Sequence, residues 1–327
     1  MKFLILVSTV LLLFGTQETT AQINVHTEDL PRFYEAFDKV LSTTDSVKQV
    51  EFLQKIYIDK ASNGLKDIIA MRQINVSDFR KFILDNKQSL SEKRPWIMSV
   101  LKQQALIEDK ITIFKKLYPD FREGDIYFIV GINNTGGTIR DKTVYIGTEV
   151  ISSSQENWAV PTVLHEFTHT QQWTQRNIIR LMGSDSLVKD YVGTHTQLLG
   201  RSIEEGMADF VGELVNGTSL AKTNPGGHTA FGLQNEKQIW EAFKKEMLLP
   251  FDQKMGWIWG KREFNGKSVD DLGYFVGHQI CKSYYNNAKN KELALKEMLA
   301  TNLTDENAKK FLIASGYLTK EESEQLR

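Results

Sequence analysis

The chain has 327 residues, of which 41% are hydrophobic and 25% charged, with a formal charge of −1. That is enough apolar material for one large core, and the balanced charge gives no basic surface to track phosphate backbones, so nucleic acid is excluded as a partner. A single cysteine, Cys281, excludes an internal disulfide framework, and its apolar surroundings mark it as a small buried hydrophobe.

In chain order, Lys2 followed by the apolar run Phe3 to Phe14 and the small residues Thr19-Thr20-Ala21 reads as a secretory signal, with cleavage expected after Ala21. The run is too short for a membrane span and no second one follows, so a secreted or periplasmic protein with no stable span after cleavage is expected. No cysteine lies near the cleavage point, and lipid attachment there is not indicated. Residues 22–120 carry apolar stripes at helical spacing, such as Phe33, Phe37, Val40 and Leu41, and form a helical N-terminal region. After the break at Tyr118-Pro119-Asp120 the period changes to alternation. Ile126, Phe128 and Val130, then Val144, Ile146 and Thr148, predict two strands paired as a hairpin across the loop Asn133 to Gly137.

A helix is predicted from Trp158 to Pro161 onward, because proline is tolerated in a first turn, and it carries His165-Glu166-Phe167-Thr168-His169. Histidines four apart project from one helical face and offer two nitrogens to one ion, while Glu166 is near enough to handle a metal-bound water. A second helix over Thr196 to Val215, stopped by Asn216-Gly217, carries Glu204-Glu205-Gly206-Met207-Ala208-Asp209. Glu205 and Asp209 are four apart, so one carboxylate can complete a zinc site and the other can accept the remaining N–H of a ligand histidine. The helical wheel leaves Glu204 open as an alternative ligand; the spacing to Asp209 favours Glu205. Further helices are expected near 236–247, 269–287 and in the last 35 or so residues, giving an α+β architecture with a small sheet ahead of the site helix.

His165-Glu166-x-x-His169 followed by Glu205-x-x-Ala208-Asp209 resembles the gluzincin zinc metallopeptidases, typified by thermolysin, and more loosely uncharacterised exported bacterial zinc proteases. The resemblance implies a zincin-like catalytic region over 121–327, packed with 22–120 as one globular unit. It implies one zinc ion held by His165, His169 and Glu205, Asp209 orienting a histidine, Glu166 as general base, and a peptide or protein substrate pairing along the strand near Val144 to Ile151. The segment Arg180 to Gly200 is longer than the thermolysin pattern requires and reads as an insertion or an extra helix. Tyr274 and His278, four apart on the 269–287 helix, are candidates to stabilise an oxyanion, with a helix–helix contact as the alternative. His195 and His228 are expected to be structural or solvent-exposed, and His26 irrelevant to the site. Two other readings stand beside the exported peptidase: a non-catalytic binding or structural protein that keeps the scaffold, with zinc as a staple, and a zinc hydrolase of non-peptide amides or esters. Intact Glu166 weighs against the non-catalytic reading, since a structural site needs no base.

Overall fold

A computed structural model describes residues 23–251 and 255–327; the expected signal segment lies outside the described residues. The chain is mostly helical with a small sheet, an α+β architecture. A short strand β1 (Val25–His26) leads into α1 (Asp29–Leu41), α2 (Ser46–Phe52), a π turn at Leu53–Ile58, α3 (Asn63–Arg72), α4 (Val76–Ser99) and α5 (Gln104–Leu117). The stripe Leu30, Phe33, Phe37 and Val40 of α1 is buried, as its helical spacing requires. Asp45, Ser62 and Asn75 cap α2, α3 and α4 with their side-chain oxygens, satisfying first-turn amides.

Next come β2 (Ile126–Ile129), β3 (Gly137–Arg140) and β4 (Thr143–Gly147), and the predicted hairpin of 126–130 with 144–148 does not form. The order is β1-β2-β4-β3: β2 pairs with β4 in parallel, Ile126 opposite Val144, and the hairpin is instead β3 with β4. Four consecutive buried residues in β2 fit a parallel strand covered on both faces. Asp141, in the left-handed region at φ 55°, forms the tight turn between β3 and β4. The strand near Val144 is therefore interior, Thr148–Ile151 is a short helix α6, and the edge strand beside β4 is β3.

Helix α7 (Ala159–Gln171) carries Pro161 in its first turn and lies on β3 and β4. The segment read as an insertion or an extra helix is helical, within α8 (Trp173–Met182) and α9 (Asp185–Thr194), and α10 (Leu198–Asn216) follows, ending at Gly217 with φ 71°. Then come α11 (Leu220–Thr223), α12 (His228–Phe243), the antiparallel pair β5 (Lys261–Phe264) and β6 (Lys267–Asp270), and α13 (Leu272–Asn287). Three short helices complete the chain: α14 (Lys291–Ala300), α15 (Asp305–Ala314) and α16 (Lys320–Leu326). One continuous apolar core runs from Leu30 in α1 to Leu312 in α15, so the N-terminal helices and the rest share an interior.

Helix α10 is the axis of this arrangement, buried on most sides by α7, α13, α5 and α15. Its approach to α13 depends on two glycines. A Cβ on Gly206 would lie 2.1 Å from the His278 backbone nitrogen, and one on Gly277 would lie 1.7 Å from the Ser202 carbonyl oxygen. Either methyl forces the helices apart. We expect Gly277→Ala to cost roughly 1–3 kcal/mol, read as a lower urea midpoint with an unchanged slope.

Glu149 of α6 is 2% exposed and accepts the Asn133 backbone N–H, fixing the loop that leads to β3. Burial pushes its carboxyl up to about 7, against bonds from backbone amides and the charge of Lys93. The folded protein thus prefers the neutral acid. This preference is fully present below the ordinary carboxyl range near 4.5 and is lost as pH rises through about 7. Urea titrations from pH 5 to pH 8 should show the wild type losing about 3 kcal/mol relative to Glu149→Gln.

Candidate metal centre

Helix periodicity places His165 and His169 on the face of α7 that meets α10, and the same face of α10 presents Glu205 and Asp209. The His169 Nε2 lies 3.1 Å from His165 Nε2 and 3.1 Å from Glu205 Oε2, and His165 Nε2 lies 3.6 Å from the same oxygen. Among the described residues these three side chains form the one group of His, Cys, Asp or Glu suited to holding a metal ion.

The outer nitrogens of both rings are committed. His165 Nδ1 is 2.7 Å from Asp209 Oδ1, and His169 Nδ1 is 2.7 Å from Gln172 Oε1. Gln172 cannot be turned round, because its Nε2 donates to the Glu204 carbonyl oxygen at 2.7 Å. With an acceptor facing each Nδ1, the proton sits there and both Nε2 lone pairs point inward at the Glu205 carboxylate. Three electron pairs converging on one point repel unless a proton or a metal cation lies between them. Ligand atoms about 2.0–2.1 Å from a tetrahedral zinc lie about 3.3 Å apart, which the observed 3.1, 3.1 and 3.6 Å bracket.

The charges around this point are strongly coupled. Burial works against ionised Glu205 and Asp209, yet the neighbouring histidines hold both carboxyls well below the usual range. Burial likewise disfavours a charged His165, but its bonds to Asp209 and Glu205 raise it well above the ordinary imidazole value. Glu166 is pushed upward, mainly by burial. Its carboxylate lies against Gly137 of β3, where a Cβ would come within 2.0 Å of Oε1. Tyr274 stacks on His165 at 5.8 Å, and burial followed by the Glu205 charge raises its hydroxyl far above normal.

Of the candidates from sequence, His165, Glu166, His169, Glu205, Asp209 and Tyr274 all line one cleft of about 1030 Å³. Glu204 lines it too but points away from the triad, accepting from Thr174 Oγ1 at 3.0 Å and Arg201 Nη1 at 2.6 Å. His278 does not reach the site. It is 1% exposed, packed against Phe210 with Nε2 3.4 Å from Glu213, because four residues carry α13 about 6 Å along its axis past the metal helices. His195 bonds Asn302 and stacks on Tyr191 away from the triad, and His26 pairs with Glu28 and Asp125 beside β1. Gln172, which the sequence did not single out, joins the site, and so does His228, expected to be structural or solvent-exposed, whose Nε2 is 2.8 Å from Asp209 Oδ2. Gln172 sits three residues beyond His169, a spacing that carries a signal; His228 arrives from the distant start of α12, and no local pattern announces it.

The model of the family described as gliding motility protein GldB matches residues 16–319. The chain belongs to this family. No curated protein and no solved structure matches it. Membership in this motility lipoprotein family overturns the gluzincin identification and, with it, the expectations of a zinc metallopeptidase, a hydrolase and a peptide-cleaving role for Glu166; no peptidase family accounts for the chain. The family agrees with export. The single cysteine, Cys281, is buried in α13, and no helix among the described residues is long and apolar enough to cross a membrane.

Asp209 is the hinge of the cluster, since it bonds histidines from α7 and α12 at once. Asp209→Asn removes the buried carboxylate that both imidazoles bond and should cost about 3–5 kcal/mol, measured by urea unfolding at pH 7 in the presence of chelator.

Proposed function

We propose that this member of the gliding motility GldB family is a non-catalytic, exported zinc-binding protein that keeps a zincin-like scaffold. In it one zinc ion held by His165, His169 and Glu205 staples α7 to α10. The observation that carries the reading is the convergence of two Nε2 lone pairs and one carboxylate oxygen on a point spaced for tetrahedral zinc. Asp209 and Gln172 support the ligands by fixing the tautomer of each histidine.

A staple here has a structural consequence. Helix α7 lies on the sheet and α10 sits at the centre of the helical half, so an ion between them locks the two layers that form the walls of the cleft. Glu166, in this reading, fills the space left by Gly137 and seats α7 against β3. The signal segment, with cleavage after Ala21, delivers the protein to the periplasm or the cell exterior.

The test is metal content and function in parallel. Reconstituted wild type is expected to retain one zinc ion and to unfold about 2.7 kcal/mol less readily at a free zinc concentration a hundred times the dissociation constant. Glu205→Ala should lose retention, and Gln172→Ala should weaken it about 10–100-fold. In gliding cells whose own copy is replaced, Glu166→Gln should support gliding and Glu205→Ala should not. A wild type that binds no zinc, or a zinc-loaded Glu166→Gln that fails to restore gliding, would refute the proposal.

A further inference from the structure

The cleft beside the triad contains a feature that zinc binding does not use. Six carboxylate residues line it, Glu156, Glu166, Glu204, Glu205, Asp209 and Asp271, against a single Lys or Arg among the described lining residues, Arg201. Arg201 is one helical turn before Glu205 on α10, so the two share a face. Its Nη1 donates to Glu204 Oε2, and its Nε and Nη2 hydrogens have no protein acceptor among the described residues. Its side chain is only 29% exposed. A guanidinium held in a cleft with a free N–H edge is matched by a planar anion that accepts two parallel bonds.

The walls around that edge are aromatic. The Arg201 Cζ lies 5.8 Å from the Phe251 ring and 5.7 Å from the Trp259 ring, and the two rings meet edge to face at 5.5 Å. Trp259 is held there at a conformational cost, in the left-handed region at φ 51°, where bulky residues are rare. Its indole is nonetheless 50% exposed over the cleft. The turn that presents it is locked to the start of α13: Gly260 N–H donates to Asp271 Oδ1 at 3.1 Å, and Asp271 N–H donates back to the Gly260 carbonyl at 2.9 Å. Strained backbone that exposes a large apolar ring beside an unfilled guanidinium edge suits a ligand with both characters.

We infer that Arg201, Phe251 and Trp259 form a subsite for a carboxylate carried on an apolar or aromatic group. The subsite is separate from the metal staple and does not rest on it. The acidic lining sets the charge of the ligand. A single carboxylate needs only the free edge of Arg201, whereas a doubly charged phosphate faces the six neighbouring acids. The same chemistry is offered by a small carboxylic acid and by a free chain end with an apolar last residue.

The full mature chain, zinc-loaded and chelator-stripped, is titrated by calorimetry with 3-phenylpropionate, 3-phenylpropionamide and phenyl phosphate. The acid is expected to bind at least about tenfold more tightly than the amide or the phosphate in both metal states, the worth of a charge-assisted pair of bonds. Arg201→Gln should erase the preference for acid over amide. Trp259→Ala, on a half-exposed ring, should weaken acid and amide alike and leave their ratio intact, which separates loss of the apolar wall from loss of fold. A tetraglycyl-phenylalanine free acid is compared with 3-phenylpropionate: tighter binding of the peptide assigns the chain end as the source, and equal binding assigns the small acid, both supporting the subsite. Equal affinity for acid and amide in wild type, a preference that survives Arg201→Gln, or one that appears only with zinc bound would overturn it. A protein that takes up no zinc but keeps the Arg201-dependent preference would sink the staple and leave the subsite standing.

Discussion

Three electron pairs aimed at one point between α7 and α10 are the constraint on which the rest of this structure depends. Two histidine Nε2 atoms and a glutamate oxygen lie 3.1 to 3.6 Å apart, and Asp209 and Gln172 each accept from the far side of a ring, which leaves the Nε2 lone pair of the neutral imidazole facing the same point. Such an arrangement is costly without a cation and stabilising with one. It also explains the burial of Glu205 and Asp209 in the middle of α10, where acidic residues are otherwise rare.

The helices carry the chemistry by their closeness. Gly206 and Gly277 let α13 lie on α10 at backbone contact, which places Tyr274 over His165 while drawing His278 into the interior. The same α10 offers Glu205 to the two histidines of α7, Asp209 to His165 and His228, and Arg201 to the cleft, on successive turns of one face. The sheet contributes from the other side: Gly137 of the β3 edge makes room for Glu166, and the loop tied down by Glu149 leads into that strand.

A metal-ligand pattern and an activity are different claims, and this chain separates them. The His165-Glu166-x-x-His169 and Glu205-to-Asp209 spacings describe where donor atoms fall on two helices, and the tertiary structure assembles them as those spacings imply. The resemblance to gluzincins attached an enzymatic activity to that geometry, while the match over 16–319 assigns the chain to a motility family. Sites of one geometry are reused across functions, so the grouping of His165, His169 and Glu205 does not depend on the peptidase reading.

What the sequence determined by itself was local. Helical spacing put two histidines on one face and Glu205 with Asp209 on another, Pro161 and Gly217 marked helix ends, and alternating apolar residues marked β2 and β4, because each of these signals acts over a few residues. Tertiary structure decided everything that depended on distant partners. The parallel pairing of β2 with β4 and the placing of β3 at the edge were invisible, since alternation does not encode a neighbour. Glu205 rather than Glu204 faces the two histidines, since Arg201 and Thr174 bond Glu204. His228 reached Asp209 from another helix, and His278 left the site although it shares a helical face with Tyr274. The physical reason is the same in each case: periodicity fixes the direction of a side chain on its own element, and only packing fixes what that direction meets.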